Sequence, residues 1–358
     1  MAPLYGRALL QWPLLLAVLT IFGTSAFALG VAPAGDAHHD PVMDAFSLLW
    51  RVLAGAVALI APVVLVVITA DMAAVSWGKA IPLLPTVVRE TYVGRVWSCF
   101  LAGTVVLIVG TFLFPRHPFR TILLLVTTSL LLFLEALASH AIDHGGVAVV
   151  MYVGHELAAG VWLGALVGLW VGARHGHVPE YWVENTAQGV SKLAVWCVLI
   201  LVLTGAYTAY EELGVQVSLL LFSVYGRILS AKIVLFGLVL VLGAYNRYRL
   251  VPKVNVPRSR DVLVRNVGVE SLLLLGGVLA LASLLANTPP AHNHTQHAAT
   301  PSNLGKVIFA TRTAAELSQI ELAAKRKTSQ ANVVRLEKGR SVPSARTLHR
   351  IAQGQTTS

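Results

Sequence analysis

LLFLEALASHAIDHGGVAVVMYVGHELAAGVWLGAL (131–166) decides how the rest of the chain is read: it is apolar enough to form two membrane helices, yet it carries Glu135, His140, Asp143, His144, His155 and Glu156. An ionisable group inside a span costs roughly 2.5–3.5 kcal/mol on insertion scales, and less near its ends. These side chains therefore need a reason. His140 and His144 are four apart and share a face if the first helix runs that far; Met151 and His155 are four apart on the next. The short Gly145-Gly146 connection turns the second pair back toward the first. Imidazole and thioether together suit copper, thioether favouring Cu(I), and no thiolate is at hand for a structural zinc site. The expected metal site is thus His140, His144 and His155, with Met151 as a fourth ligand. Taken singly, each histidine also fits an interfacial side chain at a helix end; three converging from adjacent helices favour a ligand set.

Outward from that stretch, the composition agrees. The chain has 358 residues, 56% hydrophobic and 12% charged, with mean hydropathy +0.71. This is the balance of a polytopic membrane protein and excludes a water-soluble core. Apolar segments long enough to span lie near 8–31, 45–75, 93–114, 120–139, 148–172, 190–213, 226–248 and 264–286. The expected fold is all-α, a bundle of about eight transmembrane helices. Residues 1–31 read as a first span or as a signal-like segment, since Ala26-Phe27-Ala28 has the A-x-A pattern of a cleavage site. Cys99 and Cys197 both sit in apolar runs and read as small buried hydrophobes.

Charge near the helix ends gives an orientation. One side collects eleven Lys/Arg, from Arg51 to Arg265, and the other six: Arg7, Lys79, Arg89, Arg95, Arg227 and Lys232. The richer side is expected to be cytoplasmic, which puts the turn at 140–147 outside. Arg227 and Lys232 read as snorkelling side chains, or as holders of a carboxylate such as Glu211 or Glu212. Asp71 and Met72 end the second helix on the outer side. His38, His39, His175 and His177 read as solvated loop residues.

GHELAAGVWLGAL (154–166), SKLAVWCVLILVLTGAYTAY (191–210), YGRILSAKIVLFGLVLVLGAYNRYRLVPKV (225–254) and the helix ending LANTPP (285–290) resemble, in order and spacing, the CopD/PcoD copper-resistance membrane proteins. VVRETYVGRVW (87–97) resembles that family's third-helix entry more weakly, and the resemblance covers about residues 45–290. It implies a bacterial inner-membrane protein whose partners are lipid, the copper ion and a candidate periplasmic copper-carrier protein. It also favours a retained first helix.

The end of the chain is a different kind of sequence. Residues 291–303 form a polar linker with His292, His294 and His297; residues 304–358 hold ten Lys/Arg against three Glu, a formal +7 of the chain's +10. LGKVIFATRTAAELSQIELAAKRKTSQANVVRLEKGRSVPSARTLHRIAQG (304–354) reads as short helices near 304–315, 318–326, 329–337 and 344–353. It resembles the Cro/repressor-type (XRE) helix-turn-helix, without the usual fifth helix. The resemblance implies that the helix opening at Ser329 reads bases through Ser329, Gln330 and Asn332, while Gln319, Arg335 and Lys338 contact phosphates.

Four domains are expected: 1–31, a 32–290 copper domain, the 291–303 linker and the 304–358 module. The expected function is copper transport, inward, or copper resistance. The rivals are a membrane-tethered copper-responsive DNA-binding regulator and a haem-binding redox protein. No nucleophile-base pair, phosphate loop or metal-activated water site is spaced for catalysis, so no enzyme activity is expected. DNA is a partner only if the tail is cytoplasmic, and eight helices place it outside.

Overall fold

The computed structural model describes residues 2–31, 41–73, 75–114, 119–139, 145–174, 178–213, 217–288, 309, 312–313, 317–325 and 330–337. Among these there is no strand, and eight helices are long and apolar enough to cross a membrane. They are α1 (Ala2–Gly30), α2 (Pro41–Ala73), α3 (Tyr92–Leu113), α4 (Phe119–Ala138), α5 (Gly146–Arg174), α6 (Glu180–Leu213), α7 (Val224–Lys253) and α8 (Pro257–Asn287). In hydrocarbon every backbone N–H and C=O must be satisfied within the segment, and long apolar stretches therefore fold as helices. The protein is a multi-pass membrane helix bundle. Large apolar side chains such as Leu59, Val105, Phe112, Leu203 and Val241 face outward, as lipid contact requires. Cys99 belongs to that exposed surface of α3, against the expectation of burial; Cys197 is buried.

Several helices begin earlier than the apolar runs. α6 starts at Glu180 rather than near 190, and α8 at Pro257 rather than near 264. The added turns carry Glu180, Glu184 and Gln188, or Arg258, Arg260 and Asp261, so hydropathy does not find them. Pro257 opens α8 at a position where its missing N–H costs nothing. Two stretches are π-helical: Asn246–Leu250 in α7 and Leu273–Val278 in α8.

The chain forms two compact units. In the first, 1–64 with 96–289, α5 is the most enclosed helix and α7 the least. α5 packs on α1, α4, α6 and α8, and α1 also packs on α4 and α8. The α1–α5 contact is made by glycine. A Cβ added at Gly164 would lie 1.9 Å from the Gly23 carbonyl carbon, and one at Gly23 would lie 1.9 Å from the Gly160 oxygen. Gly168 and Gly172 continue the stripe under Phe27 and Trp182. Small residues every fourth position let two backbones touch, which drives helix association where lipid removes the hydrophobic effect. Ala8 and Gln11 of α1 bond Ser283 and Asn287 of α8, joining the first and last helix ends.

Polar ties fix the other helices. Arg120 donates to Ser47 Oγ at 2.7 Å and lies over the Trp50 ring, while Trp50 Nε1 donates to Thr24 Oγ1 at 2.8 Å. Asn246 Nδ2 donates to the buried Glu270 carboxylate at 3.1 Å, and Asn266 Nδ2 donates to Asn246 Oδ1 at 3.0 Å. Arg247 donates to the Ser191 hydroxyl at 2.8 Å and to its carbonyl.

The second unit holds 65–95 and 290–358. Its described part includes short helices Trp77–Ala80 and Leu84–Glu90, then α9 (Gln319–Lys325) and α10 (Gln330–Glu337). At the start of α9, Ser318 Oγ accepts from Glu321 N and Glu321 Oε2 accepts from Ser318 N, a reciprocal cap. Glu337 of α10 accepts from Gln319 Nε2 at 2.7 Å and from Arg312 Nε at 2.5 Å, holding α9 to α10.

Candidate metal site

Gly145 opens α5 with φ +97°, a left-handed conformation that side chains disfavour, and its carbonyl accepts from Val149 N. From there helical spacing sets Met151 and His155 on one face and Tyr152 and Glu156 on the next. His140 and His144 lie outside the described residues. Met151 and His155 are described, and both are half-buried. Among the described residues no three His, Cys, Asp or Glu side chains come together as a metal cluster.

The structure adds a partner for His155 that the sequence did not reveal. His155 Nδ1 lies 2.9 Å from Thr204 Oγ1 of α6. The Thr204 hydroxyl spends its hydrogen on the Ile200 carbonyl at 2.6 Å, so Nδ1 must be the donor to Oγ1. That tautomer leaves the Nε2 lone pair for a ligand. Metal-binding histidines are commonly held in this way, with the second ring nitrogen donating to a fixed acceptor. The ring rests over Gly205, where an added Cβ would stand 3.5 Å from His155 Cε1. A threonine in an apolar helix gives no sequence signal for such a role.

Behind His155, on the other stripe of α5, is a cluster of carboxyls. The Tyr152 hydroxyl donates to Glu156, and Glu156 lies within hydrogen-bonding reach of Glu135 on α4. Gln11 Nε2 of α1 donates to Glu135 Oε1 at 2.6 Å. Lys232 of α7 acts electrostatically on both His155 and Glu156. Its carboxylate neighbour is therefore Glu156, whereas Glu211 is engaged by the Tyr207 hydroxyl. Glu156 acts in turn on Lys232 and offsets part of its charge.

Asp71 and Met72 belong to the second unit. Of the expected base and phosphate contacts, Ser329 and Lys338 lie outside the described residues. Asn332 and Arg335 fall within α10. Gln319 is bound to Glu337, and Gln330 donates to the Met72 carbonyl within the same unit.

Residues 1–150 match the model of the copper resistance protein D-like N-terminal domain, and residues 185–285 match that of copper resistance protein D. The match thus begins well before residue 45 and takes in α1. The copper resistance protein D of Pseudomonas syringae pv. tomato is 26% identical over 286 residues, covering 75% of this chain and 91% of that protein. No solved structure matches the chain. In order along the chain, residues 1–150 and 185–285 are thus similar to the two parts of copper resistance protein D, and most of the chain is similar to this relative.

Proposed function

We propose that the protein binds copper at one end of its bundle, through His155 Nε2 with Met151, His140 and His144, and moves copper inward across the bacterial inner membrane. The observation that carries this reading is His155, whose Nδ1 is committed to Thr204 and whose Nε2 is left for a metal. Imidazole with thioether selects copper over hard cations. The family supports a role in copper resistance; binding, direction and a periplasmic copper carrier as donor are parts of the proposal. The chemistry we assign is ligand exchange, without a catalytic step. Metal analysis and absorbance spectra of the purified protein test it. Bound copper without a Soret band is expected, and a strong Soret band with split reduced bands would replace it with the haem reading.

For the C-terminal segment we propose a helix-turn-helix module, supported by the reciprocal cap at Ser318 and Glu321 and by Glu337 joining α9 to α10. Its basic face would meet phosphates if DNA were within reach. With eight helices and the Arg247–Arg265 loop inside, the tail lies outside, so the module does not regulate genes in the full-length chain. Alkaline phosphatase fused after Gln353 is expected to be active and green fluorescent protein dark; the reverse pattern would revive the tethered-regulator reading.

A further inference from the structure

α6 and α7 meet at the level where their apolar runs begin and end, near residues 190 and 248. Arg247 makes the contact. Its Nη1 donates to the Ser191 carbonyl and, at 2.8 Å, to the Ser191 hydroxyl, and Val251–Lys253 also packs on α6. Arg247 is half-buried and lies in the π-helical turn Asn246–Leu250, a form frequent at functional sites. Both of its protein acceptors are neutral. No carboxylate among the described residues pairs with it: Glu180 accepts from Arg260 at 2.9 Å, Glu184 from Gln188 at 3.5 Å, and Glu270 from Asn246. A charge withdrawn in part from water calls for a counter-charge, and Arg247 Nε and Nη2 are left to donate to one.

A second observation surrounds that arginine. Lys192, next to Ser191, is exposed at the same level, and Trp196, one turn farther into the membrane on the same face of α6, is 66% exposed. On α7, Tyr248 is 73% exposed, and the Arg247 guanidinium lies 5.8 Å from its ring centre. Deeper still, Leu199 and Val241 are exposed. Basic groups, then amphipathic rings, then apolar surface is the order in which a phospholipid presents its phosphate, its glycerol and its chains.

We infer that Arg247, Lys192 and Tyr248 bind the phosphate of one anionic phospholipid, whose chains lie along α6 and α7 past Trp196. A guanidinium fork matches two phosphate oxygens with parallel hydrogen bonds, Lys192 adds a point charge, and the Tyr248 hydroxyl is a further donor. The exposed rings and aliphatic side chains below them favour a lipid over a free phosphate, which has no apolar part to cover them. Two basic groups without a paired carboxylate favour an anionic headgroup over a zwitterionic one, whose own ammonium they repel. Ser191 is a positioning residue, since it fixes Arg247 Nη1. The lipid thus ties α6 to α7, the least enclosed helix of the bundle. This inference stands independently of the copper reading.

Native mass spectrometry of the delipidated full-length protein in detergent, titrated with phosphatidylglycerol and separately with phosphatidylcholine, tests it. The expected result is about one phosphatidylglycerol held per chain at concentrations where phosphatidylcholine is not. Arg247→Gln is expected to weaken that lipid roughly tenfold. Lys192→Gln, which leaves the bond to Ser191 in place, is expected to weaken it about fivefold. Arg258→Gln, at an exposed basic residue in the first turn of α8, is expected to leave it unchanged, and none of the three alters copper stoichiometry. Equal binding of the two lipids would overturn the proposal, as would equal losses in all three variants, the mark of a diffuse charge effect. Inorganic phosphate that displaces the lipid at equal concentration would overturn it too, since the site would then be one for a free anion.

Discussion

A methyl group added at the glycines of α5 meets backbone or an aromatic ring toward one end and open space toward the other. At Gly164 it would stand 1.9 Å from Gly23, and at Gly172 2.1 Å from Trp182; at Gly154 the nearest atom is Thr204 Cγ2 at 3.8 Å, and at Gly146 nothing lies within 4 Å. The second half of the helix, from Gly160 on, is mostly buried, with its glycines against α1 and Trp182, while Met151, Tyr152 and His155 in the first third remain half-buried. One helix thus does two jobs. Its glycine stripe fixes where α5 lies, and the fixed helix presents a histidine and a carboxyl on two neighbouring faces at its looser end. Rigid elements hold a site more precisely than loops do.

The sharpest way to break this contrast is Gly164→Val. The overlap is with backbone, so no rotamer change relieves it, and α1 must move away from α5. A loss of about 3 kcal/mol or more is expected, read as lower folded yield and a lower melting temperature in detergent. Melting equal to the unmodified protein would show that the helices are not in contact there. Next in size is Thr204→Val, which removes the acceptor for His155 Nδ1. Outer-shell losses of this type lower metal affinity about 10–100-fold, whereas stability changes by only about 1 kcal/mol; unchanged copper affinity would show that Thr204 does not orient the ring. Smallest is Gly154→Ala, one turn from the stripe. It is expected to alter melting by no more than about 0.5 kcal/mol, and a collapse like that of Gly164→Val would erase the distinction between the two ends.

A similar difference separates the buried carboxyl of Glu270 from those of Glu135 and Glu156. Glu270 is held by Asn246, itself held by Asn266, within a network of amides. Glu135 and Glu156 each keep an oxygen without a donor. Asn246→Leu is expected to cost about 1–3 kcal/mol, because it strips a buried acceptor of its donor. Thermal unfolding of this variant beside Glu135→Gln checks the contrast: the asparagine change should lower the melting temperature more.

Much of this was legible in the sequence because hydropathy is a direct readout of the bilayer. All eight spans appear as apolar runs. The polar first turns of α6 and α8 do not, since they lie beyond the apolar stretch that gives the signal. Glu135, His155 and Glu156 stood out by the cost of burying them. Which of them would meet depended on how α4, α5 and α6 cross, and no local pattern encodes that. Gly160, Gly164, Gly168 and Gly172 recur at a visible interval, yet only packing shows that they meet Phe22, Gly23 and Phe27 of α1 and Trp182 of α6. Thr204 was hidden because an i−4 bonded threonine is ordinary in an apolar helix.

Copper stoichiometry of the purified protein, measured beside that of the His140→Ala, His144→Ala, His155→Ala triple variant, tests the central claim most directly. The account predicts copper bound by the unmodified chain and lost from a variant whose melting temperature is preserved, because the glycine stripe that sets α5 is untouched. A folded triple variant that still holds the full complement of copper would contradict it.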